Sequence, residues 1–429
     1  MLLIGVSWTM TSLTDSPVLI SLVQTMMSLP FLLFAIPAGV ATDRFGHRAV
    51  LFASQFWLLA VLTLMGVIAL ADGLHFTPTS LLVMTFLVGI GVVAQQTAWK
   101  PFIQGLVPQD FLVEAISFNG LSSDVGRGVG PVLAGYLMHA FGPAVVLFTS
   151  AASQLAMIAT LRNAPGRRDS GQARPARRSL REAWATIRRS PRLYGPMLRC
   201  ALVVAPAGAV MGLLPLVAKE DIQTGPIGYG GLLAALGIGA AAGGGLMPVL
   251  RRRFSVGSLS TVALALFTLA VIGVSQWNSM ALDAGFLLLL GATWSLLGIA
   301  HQFAIQIAAP EDMRGLTNSF YSLVNQGALA GGSLLFGVLA HYTGVSRSIL
   351  FAGLVAMSGL LLVRLALRKS RRIRSGDGQA GVARPTVIVG RHPATGHGRH
   401  IPRRPRKAHL SIPREGLPPG PVPEMIKRV

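Results

Sequence analysis

The stretch Gly39-Val40-Ala41-Thr42-Asp43-Arg44-Phe45-Gly46-His47-Arg48 is a charged elbow between two long apolar runs. Val18 to Ala41 and Ala49 to Ala71 contain no charged residue. A helix needs about 20 apolar residues to cross a bilayer, and each run is long enough. The chain is therefore expected to cross a membrane, turn within a few residues and cross back. The glycines suit a sharp bend, and the arginines suit the side on which a membrane protein keeps its cations.

This pattern repeats. The chain is 52% hydrophobic and only 12% charged, whereas a soluble domain carries about 25% charged residues. Further apolar runs are expected to span at about Ser80–Ala98, Ala115–Ala140, Pro143–Leu161, Leu193–Ala218, Ile227–Leu250, Val256–Ser275, Ala284–Ala300, Leu316–Ala340 and Ser348–Val363. Met1 to Leu13 is apolar but only about 20 Å long as a helix. It lacks the basic region and cleavage site of a signal peptide, so the first half of span one is expected upstream of Met1. The expectation is an all-α polytopic membrane protein of about 12 spans. Four regions follow: a transmembrane half over 1–161, a basic linker over 162–192, a second half over 193–363, and a disordered basic tail over 364–429.

A formal charge of +21 would suit a nucleic-acid binder, but its distribution argues against one. If the elbow is cytoplasmic and the loops alternate sides, only Lys219 and Arg347 of the 37 Lys and Arg fall outside, and Arg127 and Arg199 fall within spans. Such asymmetry sets orientation during insertion. The single cysteine, Cys200, excludes an internal disulfide. His392, His397 and His400 have nothing rigid to hold them as metal ligands. Phosphate loops and usable nucleophile–base pairs are missing from the sequence, so no enzyme, cofactor or metal is expected.

The halves repeat one another. At an offset of 202, Pro108 pairs with Pro310, Asp110 with Asp312, Ser117 with Ser319, Gly130 with Gly332, Gly135 with Gly337, His139 with His341 and Gly142 with Gly344. An offset across six spans gives both copies the same orientation, the parallel repeat of a transporter with its site between two halves.

The elbow's G-x-x-x-D-R-x-G-x-R pattern resembles the loop between the second and third spans of the major facilitator superfamily. Gly126-x-x-x-Gly130-Pro131-x-x-Ala134-Gly135 resembles the fifth-span signature of its antiporters, with Ser117 in place of an upstream glycine. Trp8 to Pro17, Leu214 to Ala218, Tyr229 to Leu233 and Met313-Arg314-Gly315 are similar to the enterobactin-exporter-like, or transmembrane secretion effector, branch. The resemblance covers most of Leu3 to Val363. It implies a major facilitator fold and a bacterial inner-membrane exporter of siderophore- or drug-like small molecules. It further implies a proton as coupling ion, a cytoplasmic linker and tail, and a monomer among membrane lipids. An importer or lipid flippase of the same fold stays open, as does a transport-dead or truncated sensor or scaffold.

Charges inside a membrane are costly and usually functional. Asp124 and Arg127 lie one turn apart, either as proton carrier and neighbour or as a structural pair. Asp124 is expected to be the only carboxylate within a span. Arg199, Asn119, Gln95, Gln96, Asn325 and Gln326 are further candidates for the pathway, with helix packing as the alternative. The resemblance makes Gly39, Asp43, Arg44, Gly46, Arg48 and Arg314 a conformational latch, with Asp43 reaching the start of span eleven. Gly126, Gly130, Pro131 and Gly135 form the expected packing motif.

Overall fold

The computed structural model describes residues 1–71, 76–108, 111–163, 184, 187–188, 190–310 and 314–359. The chain divides into two compact units, Met1–Ile373 and Arg374–Val429. The second unit, with the three tail histidines, lies outside the described residues, as does most of the basic linker.

The first unit is built from helices α1 (Leu2–Leu13), α2 (Pro17–Phe45), α3 (His47–Leu70), α4 (Pro78–Leu106), α5 (Leu112–Phe141) and α6 (Pro143–Asn163). It continues with α7 (Pro191–Leu216), α8 (Pro226–Arg253), α9 (Val256–Val274), α10 (Met280–Ala308), α11 (Arg314–Thr343) and α12 (Val345–Gly359). Nine of the described helical segments are long and apolar enough to cross a membrane. Helix starts are punctuated by proline: Pro17, Pro78, Pro191 and Pro226 stand in the first turn, where a missing N–H costs nothing. Thr77 adds a capping box with Ser80 on α4.

Three helix pairs are joined by a single glycine of positive φ: Gly46 at 85°, Gly142 at 81° and Gly344 at 89°. Gly142 and Gly344 are partners in the repeat. The helices that precede them, α5 and α11, are each 30 residues long and keep the same offset at both ends. The duplication read from the sequence therefore extends to helix length and turn geometry.

The elbow is shorter than the sequence suggests. α2 runs unbroken through Gly39, Asp43 and Arg44 to Phe45, and only Gly46 interrupts it. The charges at 43 and 44 thus sit on the last helical turn: α2 runs through Pro30, Pro37 and Gly39, and only the positive φ of Gly46 ends it. Span ten is longer than its uniformly apolar window. α10 begins four residues before Ala284 and ends eight after Ala300, taking in Asp283 and His301.

Helices α1–α6 form one half and α7–α12 the other. The most extensive contacts between halves are α2 against α11 and α5 against α8. The end of the bundle with the 46 and 254 turns is the elbow end below; the other is the opposite end.

Gly46 has φ 85° and ψ 151°, a region that side-chain-bearing residues avoid. Gly39 lies within a helix with open space around a Cβ. Gly46→Ala should cost about 1–3 kcal/mol of stability, whereas Gly39→Ala should be neutral or slightly stabilising. Thermal unfolding of the two variants in one detergent checks this; equal losses would contradict it.

Candidate functional site

The halves meet at the opposite end, mostly through backbone. A Cβ on Gly135 of α5 would lie 2.6 Å from the Pro226 carbonyl of α8, and a Cβ on Gly230 would lie 2.6 Å from the Pro131 carbonyl. Two helices thus approach to backbone distance, which only small residues permit. Between α2 and α11, Ser333 Oγ donates to the Ser21 carbonyl at 2.8 Å and Thr25 Oγ1 to the Ala330 carbonyl at 3.1 Å. Both bonds are buried, so each carries more weight than a solvated one.

A strap lies above this contact. Pro215 interrupts the end of α7, which continues as a π-helical turn over Val217–Asp221. That turn projects Lys219 across to the other half, where Nζ donates to the Thr11 carbonyl at 2.5 Å and to Asp15 Oδ1 at 2.8 Å. Thr11 is in the last turn of α1, where carbonyls present partial negative charge. Asp15 is largely exposed, so its ion pair contributes less than about 1 kcal/mol. Below the strap, Trp8 of α1 stacks on the fully buried Tyr229 of α8, with ring centroids 5.8 Å apart. Three stretches that carry the branch resemblance, around Trp8, Leu214 and Tyr229, thus converge on one closure.

Toward the elbow end the inter-half helices expose large apolar side chains. Val40 and Phe45 on α2, Phe118 and Val125 on α5, and Val249 on α8 are all more than half exposed. Asp43 and Arg44 are exposed there too. Arg44 lies 5.5 Å from the Phe45 ring. Arg48 is engaged within its own half: Nη2 donates to the Leu161 carbonyl at 2.8 Å and the Arg162 carbonyl at 3.2 Å, capping α6. The Arg314 side chain lies outside the described part.

The other candidates are scattered. On α5, Arg127 is exposed and its carbonyl faces Gly237 of α8, while the Asp124 side chain lies outside the described part. Asn119 Oδ1 accepts from Trp99 Nε1 at 3.1 Å, joining α4 to α5. Gln95 is half-buried and Gln96 exposed. Of the glycine motif, Gly135 and the Pro131 carbonyl sit in the α5–α8 contact. A Cβ on Gly126 would meet nothing, and one on Gly130 would meet only the Met1 amine at 3.8 Å.

In the second half, polar groups gather toward the elbow end. Asn325 Nδ2 points at Cys200 Sγ at 3.6 Å, beside the half-buried Arg199. Tyr321 OH donates to the Gly298 carbonyl at 3.3 Å, and Gln302 Nε2 donates to Asn318 Oδ1 at 3.4 Å. Gln326 is half-buried one residue along. His301, 8% exposed, joins this group and feels the Arg199 charge. Among the described residues no group of three His, Cys, Asp or Glu side chains is placed to hold a metal.

Asp283 corrects the expectation that Asp124 is the only carboxylate within a span. It lies in the first turn of α10, is 0% exposed, and neither oxygen has a hydrogen-bond partner. The Ser279 backbone N–H leans on the carboxyl without reaching hydrogen-bond geometry. Asp283 and His301 were legible only had the span been extended beyond its continuous apolar window at both ends.

Two six-helix halves in parallel repeat, in contact at one end, define a major facilitator transporter. Residues 1–384 match the family described as transmembrane secretion effector, and the chain belongs to it. It is 25% identical over 384 residues to an uncharacterised major-facilitator-type transporter, YfiS of Bacillus subtilis (strain 168), covering 83% of this chain and 87% of that protein. Among solved structures, a variant of the nucleoside transporter NupG aligns with a TM-score of 0.72 at 11% identity, covering 85% of this chain and 94% of that one. A bacterial homologue of the human lysosomal transporter Spinster, inward-facing and unoccupied, aligns at 0.63 and 15% identity over 85% and 94%. A variant of the E. coli fucose:proton symporter FucP aligns at 0.53 and 16% identity over 85% and 95%. These likenesses establish the fold and a multi-pass membrane protein.

If glycine contact keeps the opposite end shut, a branched side chain there should prop it open. Gly230→Val is expected to raise the reactivity of a cysteine placed at the buried Ser21 toward a polar thiol reagent by about tenfold, the population change that about 1.4 kcal/mol produces. Unchanged reactivity in a folded variant would contradict this.

Proposed function

We propose that this protein is a secondary active exporter of a siderophore- or drug-like small molecule across the bacterial inner membrane, working by alternating access and proton antiport. The observation that carries the reading is the asymmetry of the bundle: at the opposite end Gly135 and Gly230 meet facing backbone beneath a lysine strap, whereas Cβ atoms on Gly39, Gly120 and Gly245, toward the elbow end, would meet nothing. A transporter that rocks about a midplane site alternates between this state and its converse. The elbow end, with most of the cations, is taken as cytoplasmic, so the state is open inward. The family's description as a secretion effector supports export. The fold alone does not give direction, since FucP is a symporter.

In this reading the substrate path lies between the halves, along the elbow-end group of Arg199, Asn325 and Gln326 and the α4–α5 side with Gln95, Gln96, Asn119 and Arg127. Asp124 remains a candidate proton carrier. Asp43 is the candidate latch in this reading. It would reach the start of α11, near Gly315 to Thr317 and Arg314, when the elbow end closes. The N-terminal end of a helix presents partial positive charge to such a carboxylate.

The test is accumulation of a panel of siderophores and drug-like compounds in an efflux-deficient bacterial host, with and without a protonophore. Export predicts lowered accumulation of at least one compound, restored by the protonophore. Raised accumulation would mean import, and no change for any compound would refute the transport reading. Asp124→Asn should abolish the protonophore-sensitive part while leaving the protein in the membrane. Asp43→Asn should slow export with little loss of thermal stability. A latch contributing about 1–2 kcal/mol shifts the ratio of states about 5- to 30-fold. A variant that exports normally but melts earlier would make Asp43 a helix cap instead.

A further inference from the structure

We propose that the exported molecule is an organic anion, and that Arg199 of α7, with His301 of α10 and Asn325 of α11, binds its carboxylate or a similarly compact anionic group. The inference deepens the transport reading above by giving the substrate class, and rests on it for its purpose. Arg199 lies within a span and is half-buried, and among the described residues no carboxylate meets it. The second half has three described carboxylates, Glu220, Asp221 and Asp283, and all stand at the opposite end. A guanidinium inside a membrane is costly without a counter-charge. The half that carries Arg199 supplies none at this level.

The surroundings are rich in donors and short of acceptors. Asn325 Nδ2 has only Cys200 Sγ, at 3.6 Å, and a thiol sulfur is a weak acceptor. Among the described residues no hydrogen bond engages His301. The nearby amide oxygen, Asn318 Oδ1, already accepts from Gln302 Nε2. A carboxylate would take a parallel pair of guanidinium N–H groups, which is the stronger kind of charged hydrogen bond. Cys200 packs into the seam that α7 makes with α10 and α11, against Ile305 and Tyr321. Successive helix residues point about 100° apart, so Arg199 leaves that seam on the side of His301, which feels its charge. There is room beside the pair. Gly195 lies one turn before Arg199 and Gly298 one turn before His301, and a Cβ on either glycine would meet nothing within 4 Å. The three groups lie about 10–17 Å along their helices from the elbow end, deeper than an interfacial layer of about 7 Å. A cationic drug would be repelled by the guanidinium, so the site selects against that class.

The test uses the full-length protein in nanodiscs of zwitterionic lipid. Matched probes are titrated in: benzoate, salicylate and naphthoate, the carboxamide of each, and benzyltrimethylammonium as the cation. Binding is read by calorimetry and by melting temperature. At least one carboxylate should bind about tenfold or more tightly than its carboxamide and than the cation. Arg199→Gln should lower that carboxylate to the level of its carboxamide, and Arg199→Lys should keep part of the preference. Asn325→Asp, which puts a carboxylate beside the guanidinium, should also remove the preference while raising the melting temperature without ligand. Equal binding of carboxylate and carboxamide, binding of no carboxylate at millimolar concentration, or a preference kept in Arg199→Gln overturns the proposal. Should Arg199→Gln fail to fold, Asn325→Asp decides, and a preference kept there overturns it. Nanodiscs containing phosphatidylglycerol separate the two sources of anion. The carboxylate preference should survive in them; its loss would assign Arg199 to a lipid phosphate and overturn the proposal. An anion-selective site in a protein that exports no compound would refute the exporter reading and leave the site standing. Export of cations alone would overturn the anion site and leave the exporter.

Discussion

The structure depends on how closely two helix backbones approach across the division between halves. Lipid offers no hydrophobic drive for helices to associate, so contact must come from close packing and hydrogen bonds. At the opposite end both are present: Gly135 against Gly230, and Ser333 and Thr25 bonded to carbonyls of the facing helix. The stacked Trp8–Tyr229 pair and the Lys219 strap add to a contact that the glycines make possible. Such a contact rests on small residues and buried hydrogen bonds rather than on charge.

Much of the fold was legible in the sequence, for physical reasons. Long uncharged runs between clustered cations leave few alternatives to membrane helices. The repeat was visible because Gly142 and Gly344 each satisfy a backbone demand that other residues meet poorly, so the pair marks the same turn twice. The elbow was misjudged in length because Asp43 and Arg44 look like loop residues by charge, yet nothing stops the helix before Gly46. The site was less legible. Asp283 and His301 fall just beyond the apolar window of their span. A polar residue at a window's edge reads as loop until the neighbouring helices show that it is covered. Asn119 looked like a pathway group and is bonded to Trp99, a pairing across two helices that spacing along one of them does not reveal.

Charge in this protein does two separate jobs. Among the described residues, Arg44, Arg48, Arg162 and Arg251 to Arg253 lie near helix ends. A few ionisable groups, Lys219, Asp221 and Asp283, concentrate where α7 passes into a π turn. π turns often accompany functional sites because they re-aim side chains within an otherwise regular helix. Here the turn aims a lysine at the first half while its last residue accepts a hydrogen bond from Ser346 of α12.

Arg48 leads to a mechanical point. By gripping the Leu161 and Arg162 carbonyls, it pins the root of the linker to the first half. Near the linker's far end, Trp184 stacks on Phe320 with centroids 5.8 Å apart, and Ile187 is wholly buried against the second half. The chain between these anchors, about 20 residues, reaches up to about 70 Å when extended. That exceeds any separation the elbow-end walls need for passage of a small molecule. By contour length alone, then, the chain between the two anchors does not restrain the separation of the halves.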